Sequence, residues 1–454
     1  MRNRTLMVKM SKTKRRIKLL IFISFLMIVG AVKGQEITTF MKDGGWCWYQ
    51  DPRAIINNGK LIIGGVSGES GDIKIGIYDL VENEQLGSVV LHKNFQADDH
   101  DAPAFYIRPD GSILAVYAKH GNEPIHYYSI SSPDNYLEWS EPKKFIHDYN
   151  SKNKGVTYMN LYYMENEKLL YNFFRDGPNF NPAFITSADH GETWGGETHL
   201  LTDGLEGRNR PYARYLQRDS NTIGISFTEG HPRNYGNSLF YADFKNGSFF
   251  NVDGSKIKDL ADGPLSPSET GKIYKGSGIR TDGKKDSSAV NSAWTAAIAK
   301  DKNDRPILGY TLYLNNKDHR YRMASWNGKD WIDREVAFAG ECLYPIESSY
   351  TGLLAFDPSD SRNVFISTNA DPSTGKDLGI YNEIYSAVIN NHDSIESIKW
   401  KAITSDSNYQ NIRPIAVSGE GYTVLLWLGD GPWKTYTDYK VNVIGLIINR
   451  PQKQ

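Results

Sequence analysis

Seven segments of the chain share one pattern, in which two short apolar stretches flank a polar turn of Asp, Asn, Gly or Pro. Clear copies are AIINNGKLIIGGVSG from Ala54 and FYIRPDGSILAVYAKHG from Phe105. Apolar segments joined by such turn residues predict antiparallel β-hairpins. The second strands of the seven hairpins are predicted to begin near Leu61, Ile113, Leu169, Ile223, Ile307, Val364 and Val424.

The spacing of the hairpins indicates the fold. Successive second strands begin 52 to 60 residues apart, except for one interval of 84 residues. Each repeat has room for about four strands, so residues 35–454 are predicted to form a single all-β domain, a seven-bladed β-propeller whose terminal strands share a blade. A sandwich would not repeat at this length, and a helical solenoid needs a 3.6-residue period that is missing. The long interval contains the polar stretch 254–287, which we interpret as an insertion.

One repeat carries an Asp box. Residues 187–194 read SADHGETW, which fits the pattern S-x-D-x-G-x-T-W. The aspartate of such a turn caps a tight hairpin, and the tryptophan packs between sheets. We therefore interpret this motif as structural rather than catalytic.

The first 34 residues have the features of a leader. Basic residues precede the apolar run Leu19–Val29, and small residues follow before Gln35. This order predicts a cleaved secretory signal peptide over residues 1–34 and a secreted or periplasmic protein. An uncleaved anchor is the alternative. No later segment is long and apolar enough to predict a membrane span.

Removal of the leader makes the protein acidic. The whole chain has 52 Lys and Arg against 53 Asp and Glu, and the leader holds nine of the basic residues and none of the acidic ones. This balance argues against a general nucleic-acid or anionic-membrane binder, so the positive charge of an anion site must be local. Aromatic residues reach 12%, which favours β-sheet and sugar-contacting surfaces. Cys47 and Cys342 are too few for a disulfide scaffold or a four-cysteine zinc module, although export would permit a disulfide between them.

Chemically active residues recur where the predicted hairpins open. The start of a first strand and the end of the second lie at the same end of a hairpin, so these residues should line one face of the channel. His, Tyr and Arg at such positions suit proton transfer beside a bound carboxylate. The residues concerned include Arg53, His100, His120, Tyr158, Asn160, Arg175, Arg210, Tyr212, His231 and Arg413.

Several motifs at these positions resemble those of the BNR-repeat polysaccharide lyases, and within them the ulvan lyases of polysaccharide lyase families 24 and 25. The resemblance covers nearly all of the chain after the leader. It implies a secreted propeller that cleaves ulvan, a sulfated uronic-acid polysaccharide, by β-elimination between rhamnose 3-sulfate and uronic acid, with glucuronate expected. His and Tyr can supply the proton transfers of this reaction without a redox cofactor. We expect the protein to be a monomer. The motifs are GGWCWYQDPRA from Gly44, DDHDAP from Asp98, YAKH ending at His120, FFRDG from Phe173, RPYARY from Arg210 and EGHPRN from Glu229.

The same resemblance implies roles for single residues. Arg175 would neutralise the substrate carboxylate, His100 or Tyr158 would be the base, and Tyr158 the acid. His120 and Tyr212 would hold the substrate, and Arg210, Arg53 and Asn160 are further substrate-binding candidates. Tyr215 is an alternative to Tyr212, although Arg210, Tyr212 and Arg214 share one strand face, which favours Tyr212.

A metal is not required for this chemistry, but the resemblance implies a possible structural zinc or calcium. The candidate ligands are His231, His319 and Cys342, which belong to different blades. The chain has no compact CxxC or HExxH motif, so the spacing itself gives little support.

Two other functions fit the same fold. A sialidase-type hydrolase would use a tyrosine nucleophile with a carboxylate partner, and Arg53, Arg175 and Arg413 could grip a substrate carboxylate. A glycan-binding propeller without catalytic activity would bind the polysaccharide and leave its length unchanged.

Overall fold

A computed structural model of the protein describes residues 36–147, 155–177, 179–205, 209–344 and 346–451. The predicted signal peptide, residues 1–34, and the first residue of the predicted domain lie outside the described residues. The strands all belong to one compact unit, Ile37–Gln454. Within the described ranges, no helix has both the length and the apolar character needed to span a membrane.

The described chain is almost entirely β-structure, with three short 3₁₀ helices at Asp99–Asp101, Leu260–Asp262 and Pro267–Glu269. The strands in chain order are β1 Thr38–Met41, β2 Ala54–Asn57, β3 Lys60–Val66, β4 Ile73–Asp79, β5 Glu84–His92, β6 Ala104–Ile107, β7 Ile113–Tyr117, β8 Ile125–Ile130, β9 Lys143–Ile146, β10 Thr157–Met164, β11 Leu169–Asp176, β12 Asn181–Ser187, β13 Gly195–His199, β14 Tyr212–Asp219, β15 Thr222–Thr228, β16 Phe240–Lys245, β17 Ser248–Phe250, β18 Lys256–Asp259, β19 Ser292–Lys300, β20 Pro306–Asn315, β21 Asp318–Trp326, β22 Trp331–Gly340, β23 Leu354–Phe356, β24 Asn363–Thr368, β25 Glu383–Val388, β26 Lys401–Ala402, β27 Ile412–Gly419, β28 Tyr422–Gly429, β29 Trp433–Thr435, β30 Asp438–Tyr439 and β31 Asn442–Asn449.

Seven antiparallel sheets form the blades of a β-propeller, which confirms the predicted fold. Blades one to three are β2–β5, β6–β9 and β10–β13, blade four is the five-stranded β14–β18, and blades five and six are β19–β22 and β23–β26. Blade seven has the order β1-β31-β28-β27, so the first strand of the fold pairs with the last. Thr38 lies opposite Gly445 in that pairing. The terminal strands therefore share a blade, as predicted, and this closes the ring.

The predicted hairpins are the first two strands of each blade, and each second strand begins within two residues of its predicted start. The first strands of neighbouring blades contact one another, for example β2 with β27 and β6 with β10. The interpretation of residues 254–287 as an insertion is refined by the structure: this stretch contains β18, which pairs with β17 as a fifth strand of blade four.

The Asp box forms the turn between β12 and β13. The carboxylate of Asp189 accepts hydrogen bonds from the hydroxyl of Ser187 (2.7 Å) and from the backbone N–H (2.9 Å) and hydroxyl (2.6 Å) of Thr193. The ring of Trp194 packs edge-on against His126 of blade two, with centroids 5.4 Å apart. The motif thus caps a hairpin and joins two blades, in agreement with its structural interpretation.

Candidate active site

A β-bulge at the start of β10 positions Tyr158. The pairing with β11 shifts register between Thr157 and Asn160, and Tyr158 has a φ of 65°. A left-handed tyrosine is strained and persists only where its surroundings hold it. Asn160 Nδ2 donates to the Tyr158 carbonyl (2.8 Å), and Arg53 Nη2 donates to the Met159 carbonyl (2.7 Å). Two buried side chains therefore clamp the bulge that presents Tyr158.

Arg53 and Asn160 were predicted to bind substrate, and the structure places both behind the bulge. Arg53 is 1% exposed and Asn160 is 3% exposed. The side-chain oxygen of Asn160 also accepts from the backbone N–H of Asp51 at 3.2 Å. Burial lowers the pKa of Arg53 to about 10, and Asp51 offsets part of that effect. Both residues thus act on Tyr158 through the backbone in the structure.

Arg175, near the end of β11, lies between aromatic rings. Its Cζ is 4.2 Å from the ring centroid of Tyr212, 5.0 Å from that of Tyr158 and 5.3 Å from that of Phe180. Nε donates to the Phe180 carbonyl at 3.2 Å, whereas Nη1 is buried and has no hydrogen-bond partner among the described residues. No described carboxylate forms an ion pair with this 7% exposed side chain. A buried cation without a counter-ion is costly, so this geometry favours an anionic ligand.

The pKa values of the two tyrosines beside Arg175 are shifted in opposite directions. Burial raises the pKa of Tyr158 well above its ordinary value. Burial acts in the same direction on Tyr212, but the positive charges of Arg175 and Arg210 bring the pKa of Tyr212 below its ordinary value. Tyr158 is therefore the group that keeps its proton, and Tyr212 is a strong hydrogen-bond donor held by cations.

Tyr212 belongs to the site, and Tyr215 lies elsewhere. The ring of Tyr215 stacks on Phe173 between blades three and four, with centroids 4.6 Å apart. Arg210 has a φ of 59° and its Nε donates to Asn234 at 3.0 Å. Burial lowers the pKa of Arg210 to about 10.

His100 and His120 form a stacked pair joined by one carboxylate. Their ring centroids are 3.6 Å apart, and their planes differ by 9°. His100 Nδ1 lies 2.6 Å from one oxygen of Asp98, and His120 Nδ1 lies 2.9 Å from the other. Asp98 caps the 3₁₀ helix Asp99–Asp101 and also accepts from the His100 backbone N–H at 3.1 Å. The ring of His100 is 5.3 Å from that of Tyr158, which connects the pair to the Arg175 group.

Arg413 forms an ion pair with Asp99, which lies next to His100. Its Nη1 donates to Asp99 at 2.5 Å, and its Cζ lies 3.5 Å from the ring centroid of Trp48. Both Arg413 and Asp99 are almost fully buried. Three rim arginines were predicted as candidates for binding a substrate carboxylate. Arg53 and Arg413 bind groups of the protein itself, so Arg175 is the candidate that is left.

Comparison with known proteins places the chain in a family. A family model described as a BNR repeat-containing family member matches residues 59–339. The chain belongs to the BNR repeat-containing family. No curated protein matches it.

Solved structures share the fold of this BNR repeat-containing protein. One is an ulvan lyase of polysaccharide lyase family PL25 bound to -[GlcA(1-4)Rha3S]-, with 15% identity, a TM-score of 0.59, and coverage of 91% of this chain and 98% of that chain. Another is the polysaccharide lyase Uly1, with 12% identity, a TM-score of 0.55, and coverage of 92% of this chain and 93% of that chain. At these identities the likeness establishes a common architecture.

The predicted metal ligands of the BNR repeat-containing protein are engaged separately. His231 Nδ1 accepts from the Arg233 backbone N–H at 3.1 Å. The ring nitrogens of His319 lie 3.2 Å and 3.0 Å from the carbonyls of Gly340 and Ser348. Within the described parts of the chain, His231, His319 and Cys342 do not form a common donor group. These three residues therefore do not fit one ion, and a structural metal stays a prediction. Cys47 and Cys342 are free thiols.

Three residues make contacts at the site that the sequence did not predict. The Cys47 sulfur lies 3.6 Å from the Tyr158 hydroxyl. Gln50 donates from Nε2 to the His100 carbonyl at 2.5 Å. Tyr436, between β29 and β30, places its ring edge-on to His100 at 5.1 Å. The motif GGWCWYQDPRA contains Cys47 and Gln50 but does not give their partners, and Tyr436 lies in none of the quoted motifs.

Proposed function

We propose that this protein is a secreted polysaccharide lyase that cleaves ulvan by β-elimination at a uronic acid. The observation that carries the proposal is Arg175, a buried guanidinium without an acidic partner among the described residues, flanked by Tyr158 and Tyr212. The stacked histidines lie beside it. A cation, a proton-holding phenol and imidazoles in one place are the groups that this reaction needs.

The guanidinium of Arg175 makes removal of the C5 proton easier. The C5–H of a uronate is barely acidic while the neighbouring carboxylate is charged, because the carbanion would develop beside that charge. The guanidinium of Arg175 can bind the carboxylate, and Tyr212 can donate a second hydrogen bond. Both donors stabilise the doubly negative form that develops in the transition state.

Proton transfer then completes the elimination. A histidine of the pair takes the proton from C5, and the C–H electron pair forms the C4=C5 double bond. The C4–O bond breaks, and the departing oxygen takes the proton of the Tyr158 hydroxyl. Solvent returns a proton to Tyr158 and removes one from the imidazolium, so that the enzyme is restored. The products are an unsaturated uronate and a free rhamnose 3-sulfate end.

The substrate assignment rests on two kinds of support. The site favours an anionic sugar, and the structurally similar ulvan lyase is bound to an oligosaccharide of glucuronate and rhamnose 3-sulfate. Glucuronate is accordingly the proposed uronate at the cleaved bond.

A sialidase-type hydrolase fits the site less well. Its arginine cluster would need Arg53 and Arg413, which bind a backbone carbonyl and Asp99 in the fold. Its tyrosine nucleophile would need a carboxylate partner, and no described carboxylate hydrogen-bonds to Tyr158 or Tyr212. Both parts of that catalytic set are thus lacking among the described residues.

The test is incubation of the purified protein with ulvan while the ultraviolet absorbance of the unsaturated uronate is followed. We expect absorbance to rise and the polymer to shorten. Carboxyl-reduced ulvan is the matched control, because it lacks the group that Arg175 would bind, and we expect no reaction. Shortening without absorbance would favour a hydrolase, and binding without shortening would favour a glycan-binding propeller.

A further inference from the structure

The pair His100 and His120 shares a single carboxylate, and this determines where their protons lie. Both Nδ1 atoms face Asp98, at 2.6 Å and 2.9 Å. Burial alone would raise the pKa of Asp98, but the two histidines hold it well below its usual range. A carboxylate can only accept, so each Nδ1 must carry a hydrogen and donate it. A neutral histidine in this pair then has its lone pair on Nε2.

The stack allows one positive charge. Two imidazolium rings with centroids 3.6 Å apart would repel each other strongly in a buried site. The side chain of His100 is 3% exposed, whereas that of His120 is 30% exposed. The Nδ1 atom of His100 has two carboxylates within reach, because Asp99 lies 3.3 Å away in addition to Asp98. His100, the more buried ring, is therefore the better place for the charge, and His120 is the ring that a substrate can reach.

The other charged and titratable groups around the pair agree with this division. On the side of His100 lie Cys47 and Asp98, which raise the pKa of His100 against the opposing effect of burial. Burial, and then the positive charge of His100, lowers the pKa of His120, and Arg175 acts in the same direction. Among the described residues, the further groups that face the pair are Asp99 with its partner Arg413, Asp101, Tyr158 and Tyr436.

We propose that Asp98 is a positioning residue that fixes both histidines with hydrogen on Nδ1, so that His120 offers an unprotonated Nε2 to the substrate while His100 remains a cation beneath it. This inference rests on the proposed lyase function and assigns the base to His120. It differs from the assignment that sequence resemblance favours, in which His100 or Tyr158 is the base. The cation on His100 also adds positive charge near the carboxylate that Arg175 would bind.

The tautomers can be read without any substrate. Full-length protein labelled with ¹⁵N-histidine would be examined by two-bond ¹H–¹⁵N correlation spectra across the pH range, with His100→Asn and His120→Asn used to assign the signals. We expect His120 to be neutral near pH 7 with hydrogen on Nδ1, and His100 to have hydrogen on both nitrogens. Hydrogen on Nε2 of neutral His120, or a neutral His100 beside a charged His120, would overturn the proposal.

The kinetic arm uses Asp98→Asn, with a buried aspartate outside the site as its matched control. Asparagine can accept from one Nδ1–H at most and has no charge, so we expect kcat on ulvan to fall roughly 10²-fold or more with little change in KM. Asp357→Asn alters a buried acid between β23 and β24 that accepts from the backbone N–H and hydroxyl of Ser359, and we expect nearly wild-type kcat. Equal losses in both variants would reduce Asp98 to a structural role and overturn the proposal.

The two arms separate this inference from the function on which it rests. If the wild-type protein forms no unsaturated uronate, the proposed function fails, and the spectra still decide the tautomers. If the protein is active but Asp98→Asn keeps wild-type kcat, the function stands and the role of Asp98 is wrong. Asp98→Glu keeps the charge and covers the case in which Asp98→Asn does not fold; partial kcat is expected from it.

Discussion

The guanidinium of Arg175 lies over the ring of Tyr212, with Cζ 4.2 Å from the ring centroid, and no described carboxylate pairs with it. We expect Arg175→Ala to lower kcat/KM on ulvan by roughly 10³-fold, because the charge of the transition state is then not neutralised. Arg175→Lys keeps a charge but not the planar guanidinium, so partial activity is expected. Arg362→Ala, at an exposed surface pair with Asp360, is the control and should be fully active.

The proton-donor role of Tyr158 predicts a selective loss. Tyr158→Phe should lower kcat by about 10²-fold or more, since the leaving oxygen has no other donor in the proposed mechanism. Among the described residues its hydroxyl has only the Cys47 sulfur at 3.6 Å as a partner, so the melting temperature should hardly change. Tyr215→Phe is the matched control, because Tyr215 stacks on Phe173 away from the site. Wild-type kcat in Tyr158→Phe would remove the acid role from this residue.

The bulge clamp predicts that a residue behind the site affects catalysis. Asn160→Ala leaves the buried carbonyl of Tyr158 without its donor, a loss of about 1–3 kcal/mol of stability. We expect kcat to fall about tenfold as the tyrosine loses its fixed position. Asn160→Asp keeps an acceptor for Arg53 but not the donor to Tyr158, so it should show the same kcat loss. If only KM rises in these variants, Asn160 contacts the substrate, as the sequence had predicted.

Glu229 gives the fold a pH dependence. Burial raises the pKa of Glu229 to about 7 from an ordinary 4.5, so the folded protein binds this proton more tightly than the unfolded chain. The stabilisation is complete below the unfolded pKa and is lost as the pH rises through about 7, a difference of about 3 kcal/mol. Glu229→Gln, which mimics the protonated acid, should therefore raise the melting temperature near pH 8 and leave it nearly unchanged near pH 4. The exposed Glu341→Gln should show no such difference between the two conditions.

The Asp box predicts a loss of stability without a loss of chemistry. Asp189→Ala removes the acceptor of the turn hydrogen bonds from Ser187 and Thr193, which should cost about 1–2 kcal/mol in denaturant unfolding. The kcat of the folded variant on ulvan should match the wild type. A reduced kcat with unchanged stability would contradict the structural interpretation.

The sequence alone determined the architecture. Hairpins depend on local information, namely apolar strands and the turn residues between them, so the seven starts from Leu61 to Val424 could be placed within two residues. The repeat length then required closure of the ring, and β1 pairs with β31 accordingly. The alternation of side chains along a strand also favoured Tyr212 over Tyr215.

Tertiary structure decided what the rim residues do. Arg53, Arg175 and Arg413 look alike in the sequence, yet one holds the Tyr158 bulge, one has no carboxylate partner among the described residues, and one pairs with Asp99. His100 and His120 both face Asp98, but Cys47 and Asp98 raise the pKa of His100 against the effect of burial, whereas burial and the charge of His100 lower the pKa of His120. The charge state of a buried group depends on desolvation and on neighbours supplied by other blades, and these distances are set only when the ring closes.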